Sequence, residues 1–231
     1  MRIYRKENLG KGDHGWLKSN FHFSFSDYFN KERMGYGKLR VVNDDTVQAG
    51  TGFNTHPHRD MEIISYVFHG ELTHKDSMGT KETLYPGEIQ YMSAGTGISH
   101  SEFNEGDDIL RFLQIWILPD KENHKPNYGS KRIPMEERHD KWFHFVSPIN
   151  GSGLIGINQD ANIYASIISE GKQFNFPLSE GRQLYGILID GELSVESELL
   201  KSGDGFDSNE SLTFNADKKS HILIIEIKKS L

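Results

Sequence analysis

The chain of 231 residues contains no cysteine. That absence removes a disulfide scaffold, a Cys-ligated zinc site, a thiolate nucleophile and an iron–sulfur cluster in one step. Positive charge is also scarce: 26 Lys and Arg face 33 Asp and Glu, for a formal net charge of −7. Nucleic-acid binders carry a basic footprint because phosphate neutralisation supplies much of their affinity, so direct nucleic-acid binding is not expected. Neither half of the chain forms a basic arm or an acidic tail. Long apolar runs are missing as well. The opening MRIYRKENLGKGDHG has no signal-peptide core, and the greasiest stretch, HILIIEIKK, is interrupted by Glu226. The expectation is a soluble cytoplasmic protein with no membrane role. What the chain does hold is 11 His beside its 33 acids, so a metal would have to be bound through imidazole nitrogen and carboxylate oxygen.

The hydrophobic pattern is that of short strands. MEIISYVFHGELTHKDS reads as two strands joined at a Gly70-Glu71 hairpin, and LRFLQIWIL, YASIISE, QLYGILIDGELSVES and HILIIEIKK are β-branched or aromatic runs bounded by turn residues. The 23 glycines exceed average usage and fall where strands should turn. An all-β sandwich or barrel follows. The polar stretch from 121 to 141 lacks strand pattern and reads as a linker with one helical turn around Met135 to Arg138. On either side the chain repeats itself. Phe68-His69-Gly70-Glu71-Leu72 parallels Ile189-Asp190-Gly191-Glu192-Leu193, Gly87-Glu88 parallels Gly203-Asp204, and each copy ends in an apolar strand. Domains are therefore expected at 1–120 and 142–231.

The first copy carries His56-Pro57-His58, then Glu62, and later His100-Ser101-Glu102. In a strand, residues i and i+2 share a face about 6.6–6.8 Å apart, so HxH and HxE each present two ligands on one side of a sheet. On neighbouring strands, four donors converge on one ion. Spacing alone is weak support; the Gly50 and Gly52 approach and the Gly95-Thr96-Gly97 turn before the second pair strengthen it.

Gly50, His56, His58 and Glu62 resemble the first cupin motif: a glycine, five residues, HxH, three or four residues, and Glu. The longer strings GTGFNTHPHRDMEIISYVFHGELTHKDSMG and GEIQYMSAGTGISHSE resemble the pirin family of two-cupin proteins. HGWLKSNFHFSFSDYFN and GYGKLRVVNDDTVQAG resemble its short bacterial branch, with a thinner likeness in INQDANIYAS, GELSVES and LKSGDGF. The resemblance implies an all-β bicupin, two tandem double-stranded β-helix (jelly-roll) barrels. It implies metal ligands at His56, His58, His100 and Glu102, with Glu62 an alternative beside the metal. Ser93 stands where cupins in general have proline, a departure shared with pirins. Aligning Gly191 with Gly70 puts Pro177, Ser179 and Gln183 at His56, His58 and Glu62; aligning Gly203 with Gly87 puts Ala216 and Lys218 at His100 and Glu102. One divalent metal per chain is expected, in the N-terminal barrel.

Three imidazoles and a carboxylate with open positions suit Fe(II), Mn(II), Ni(II), Cu(II) or Zn(II). The resemblance favours iron, and implies a quercetin 2,3-dioxygenase that opens the heterocyclic ring of a flavonol with O2. In that reaction Glu102, part ligand and part exposed, takes the substrate hydroxyl proton. The alternative reading is an iron-binding regulatory or redox-sensing module acting through a protein partner, as eukaryotic pirins resemble. The remaining features have plainer readings. His69, His74 and Asp76 read as surface strand residues, His14-Gly15-Trp16 as a packed loop, and Phe53, Met92 and Phe112 as core or pocket wall.

Overall fold

The structure is a computed structural model, described for residues 1–229. Strands dominate; the helical content among the described residues is two single turns of 3-10 helix, Lys6–Asn8 and Met135–Glu137. The strand Glu62–His69 shows why apolar runs replaced alternation in parts of the sequence: its first six residues are all buried, because both its faces are covered.

The chain divides into two compact units. One comprises Gly10–Ile133 with Ile157–Gln159; the other comprises Met1–Leu9, Pro134–Gly156 and the chain from Asp160 onward. Each unit is built from a seven-stranded and a four-stranded sheet. In the first, the larger sheet runs in the order Asn127–Arg132, Glu88–Ser93, Glu62–His69, Leu110–Ile117, Leu39–Val47, Leu17–Phe21, Gly10–Asp13, and the smaller runs Gly52–His58, Ile98–Phe103, Leu72–Asp76, Lys81–Leu84. The second unit repeats the scheme. Its larger sheet centres on Gly205–Ser208, Arg182–Asp190, Ser220–Lys228 and Ala161–Ile168, and its smaller sheet runs Gln173–Phe176, Leu212–Ala216, Glu192–Val195, Glu198–Lys201. This is the bicupin architecture anticipated from the repeat.

Two details differ from the reading of the sequence. Gly70-Glu71 is not a hairpin: Glu62–His69 and Leu72–Asp76 lie in different sheets, and the turn carries the chain from one to the other. Gly70 has φ +71°, and a Cβ there would sit 2.4 Å from the Ile109 carbonyl oxygen, so both conformation and space demand glycine. Within the stretch read as a linker, Asn127–Arg132 forms a strand paired with Glu88–Ser93. At the corresponding edge of the second unit the added strand is Arg2–Tyr4, paired with Gly205–Ser208.

Strand register also corrects the alignment of the two copies. Glu102 pairs with His74, and the Gly70/Gly191 match places Val195 at His74. Val195 pairs with Phe214, so the counterpart of Glu102 is Phe214 rather than Lys218. By the same reasoning Leu212 stands for His100, Phe176 for His56, Gly186 for Ser65, Phe206 for Gln90 and Ile224 for Gln114. The turn before this strand is four residues shorter than matching Gly203 to Gly87 had assumed. The side chains that replace the histidines and the acid belong to one buried apolar cluster. Phe206 fills the space above Gly186, where a Cβ would fall 2.0 Å from its ring, and packs 5.8 Å from Phe214. The second barrel is closed by its own core. We expect Phe214→Ala to cost about 3–5 kcal/mol, the usual penalty for emptying a phenyl-sized core position, measured as loss of unfolding free energy in urea.

Candidate metal centre

The strands Gly52–His58 and Ile98–Phe103 are antiparallel neighbours with His100 opposite His56, and the two-residue period brings His58 to the same face. The three rings meet, with centroids 4.8 Å apart for His56 and His58, 4.6 Å for His56 and His100, and 4.9 Å for His58 and His100. One nitrogen from each lies within 4.8 Å of the other two. A bulge separates His100 from Glu102. The Glu102 carboxylate forms a second such group with His100 and His74, so His100 is common to both.

The hydrogen bonds around the rings decide which nitrogens are free. A neutral imidazole has one N–H and one lone pair. The His56 Nδ1 lies 2.8 Å from the Asn54 carbonyl oxygen, which can only accept, so Nδ1 carries the proton and Nε2 the lone pair. His100 is fixed by a longer chain. Asp76, whose carboxyl is held below its usual range by hydrogen bonds from His74, Thr80 and Met78 against the opposing effect of burial, accepts from His74 Nε2 at 3.1 Å. His74 Nδ1 is then an acceptor and takes the His100 Nδ1 proton across 3.4 Å. That leaves the His100 Nε2 lone pair buried without a hydrogen-bond partner. Burial, reinforced by the other imidazoles, lowers the pKa of His58 to about 4 and of His100 to about 3. Both rings are thereby held neutral, the form in which histidine binds a divalent metal.

Glu102 is buried, not part exposed as expected. Its Oε1 accepts from Ser65 Oγ at 3.0 Å and Gln90 Nε2 at 2.7 Å, and its Oε2 accepts from Gln114 Nε2 at 2.6 Å. The Trp116 indole N–H donates to Gln114 Oε1 at 3.1 Å, which fixes the amide with its NH2 toward Glu102. Of about four acceptor positions on a carboxylate, three are taken and one on Oε2 remains. The donor types fit a transition-metal ion: the imidazoles of His56, His58 and His100, and an open carboxylate position on Glu102, which shares His100 with that group, with no soft sulfur among them.

His56 and His58 open onto a cavity of about 460 Å³, and His100 lies buried behind them. His56, His58, Glu102 and Gln114 line one part of it, and Trp16, Phe21, Phe25, Phe53 and Trp116 supply aromatic walls. Trp16 meets Phe53 edge to face at 5.3 Å, and Phe25 meets Trp116 in the same way at 5.3 Å. Such a chamber, mostly apolar with a few convergent polar groups, has the size and character of a small-molecule site.

Several expectations change here. His74 and Asp76 are not surface residues; both side chains are fully buried and hold His100. Tyr128, from the stretch read as linker, stacks on His74 at 4.4 Å and donates to Glu82 at 2.8 Å. Trp16 belongs to the cavity wall, not merely to a packed loop, and His14 lines it too. Of the three apolar candidates, Phe53 lines the cavity while Met92 and Phe112 pack in core clusters. Glu62 belongs to neither histidine group; it is buried and accepts from Ser93 Oγ at 2.6 Å and from Asn158. His69 is exposed, as expected. The missed signal was polarity at inward positions: Gln90 lies between Ile89 and Tyr91 and Gln114 between Leu113 and Ile115, and burying an amide there makes sense only with a partner to satisfy.

Because folding lowers the pKa of His58 and His100 from the ordinary 6.5, the unfolded chain binds more protons below that value, and stability falls as the pH drops from about 6.5 toward 4. In metal-free protein, ring 15N shifts of both residues should hold neutral-imidazole values from pH 8 to 5, with His100 showing a protonated Nδ1 throughout. Titration of either ring near 6.5 would contradict this assignment.

Residues 3–117 match the family profile described as Pirin, and residues 144–227 match the one described as Quercetinase C-terminal cupin domain. The chain is 36% identical over 231 residues to an Escherichia coli K12 protein named quercetin 2,3-dioxygenase, covering 98% of this chain and 99% of that one. It is 38% identical over 200 residues to a pirin-like protein of Caulobacter vibrioides, 86% of each. The crystal structure of the E. coli bacterial pirin YhhW in complex with nickel(II) matches with a TM-score of 0.93 at 33% identity, covering 99% of both chains. On the strength of the full-length match and the shared two-barrel fold, the chain belongs to the pirin family.

Proposed function

We propose that the chain is a metal-dependent dioxygenase acting on a flavonol-type aromatic such as quercetin, with His56, His58, His100 and Glu102 holding one divalent ion, Fe(II) by preference. One observation carries this reading: a cluster of three histidines, two of which line an aromatic-walled cavity together with Glu102, a cavity large enough for a drug-sized ligand. The nickel in the E. coli relative's structure agrees with a site of this kind accepting more than one metal. When bound, the metal supplies Lewis-acid polarisation of a substrate hydroxyl oxygen and a centre at which dioxygen reacts.

The chain's own residues do the rest. Trp16, Phe53 and Trp116 hold a planar ring and keep water from its faces. The His74–Asp76 pair keeps the His100 proton on Nδ1, so that its Nε2 stays a donor to the metal. The Ser65, Gln90 and Gln114 donors hold the Glu102 carboxylate and leave one open position on Oε2, which would bind the ion and would take the substrate hydroxyl proton only on releasing it. The cavity favours this reading over the regulatory one, since a module that signals through its surface does not require an aromatic chamber beside its metal.

Anaerobic loading with Fe(II), Mn(II), Ni(II) or Cu(II), followed by oxygen uptake with quercetin, tests the reading. At least one metal should support uptake well above a His58→Ala control; uptake equal to that control with every metal contradicts it. Elemental analysis should give about one transition metal per chain, falling in His56→Ala and in Glu102→Ala. His74→Phe, which keeps the stack on Tyr128 but removes the acceptor for His100, should weaken metal affinity roughly 10–100-fold in chelator competition.

A further inference from the structure

The strand Leu39–Val47 crosses the cavity wall with polar residues where apolar ones would be expected. Asn43 and Asp45, two residues apart, both line the cavity, and each is only 2% exposed. Their intervening neighbour, Asp44, accepts a two-pronged hydrogen bond from Arg111 at 2.8 and 3.0 Å and does not line the cavity. Asp45 accepts a hydrogen bond from the Ser19 side chain. Yet Asn43 Oδ1 and Asp45 Oδ1 are buried acceptors with no hydrogen-bond partner. Such atoms are a small minority in a folded protein, and two on one face of one strand, both on residues in the wall of a ligand-sized cavity, are most simply satisfied by a ligand.

We infer that Asn43 and Asp45 form a hydroxyl-recognition subsite that receives phenolic O–H groups of the aromatic ligand, one at each orphaned acceptor, apart from the hydroxyl that faces the metal. The inference rests on the flavonol reading above and adds what that reading leaves open, the determinant of preference among hydroxylated rings. Both orphaned atoms are acceptors, so the ligand must bring donors. The aromatic walls call for those donors to sit on a flat ring. Burial raises the Asp45 carboxyl to about 7, opposed by the Ser19 hydrogen bond and reinforced by Asp44 and Glu102. A carboxyl that burial disfavours as an anion suits a neutral hydroxyl better than it suits a cationic ligand.

The test uses nickel-loaded full-length protein without oxygen, and measures dissociation constants for quercetin and for 3-hydroxyflavone, which keeps the metal-facing hydroxyl and lacks the others. Wild-type protein should bind quercetin at least about tenfold more tightly. Asn43→Leu and Asp45→Leu should each remove about tenfold of that preference by weakening quercetin alone. Equal affinity of wild-type protein for the two flavonols overturns the subsite and leaves the flavonol reading standing, and this comparison needs no variant to fold. Equal weakening of both ligands in the variants also overturns it. Wild-type protein that binds neither flavonol overturns the flavonol reading, and the subsite with it.

Discussion

A neutral imidazole has one proton to place, and at this centre its placement is dictated from outside the rings. Asn54 holds the His56 proton, and His74 backed by Asp76 holds that of His100. Each hydrogen bond commits Nδ1 and leaves Nε2 as a lone pair directed at its neighbours. The lowered pKa values of His58 and His100 follow from the same packing: a cluster of imidazoles withdrawn from water resists protonation. Without that constraint the three rings would be an ordinary aromatic cluster; with it they offer the lone pairs that the proposed metal requires.

The two barrels show what the constraint demands of the interior. In the first, a carboxylate and two amides are buried, an arrangement that is costly unless every group is paired. Ser65, Gln90, Gln114 and Trp116 provide the pairing for Glu102. In the second, the same positions hold Gly186, Phe206, Ile224 and Phe214, and the space closes into an apolar core. One scaffold thus carries a polar interior where chemistry is proposed and a packed one where it is not, which is how a fold hosts function without specifying it.

Much of this was legible in the sequence because strand geometry is periodic. HxH and HxE place their first and last residues on one face whatever the surroundings, so the convergence of His56, His58 and His100 could be expected, and the repeated glycines exposed the second barrel. What could not be read was anything that depends on which strands are neighbours. The His74 contact with His100 exists because Leu72–Asp76 pairs with Ile98–Phe103. The stacking of Tyr128 depends on a strand in a stretch whose composition reads as linker. The glycine match of the second copy failed at Lys218 because a turn shortened by four residues shifts register without altering the strand itself, and only pairing reveals it. Inward polar residues such as Gln90 and Gln114 were visible but not interpretable until their partner was known.

The central claim is that proton placement on the histidines, and not ligand identity alone, creates a single metal site in the first barrel. Anomalous diffraction from crystals of metal-loaded protein tests it directly. The account predicts one peak per chain, bonded at about 2.0–2.2 Å to Nε2 of His56 and His100, to a ring nitrogen of His58 and to Glu102 Oε2. A peak bonded through Nδ1 of His56 or His100, or one held by the second barrel, would contradict it.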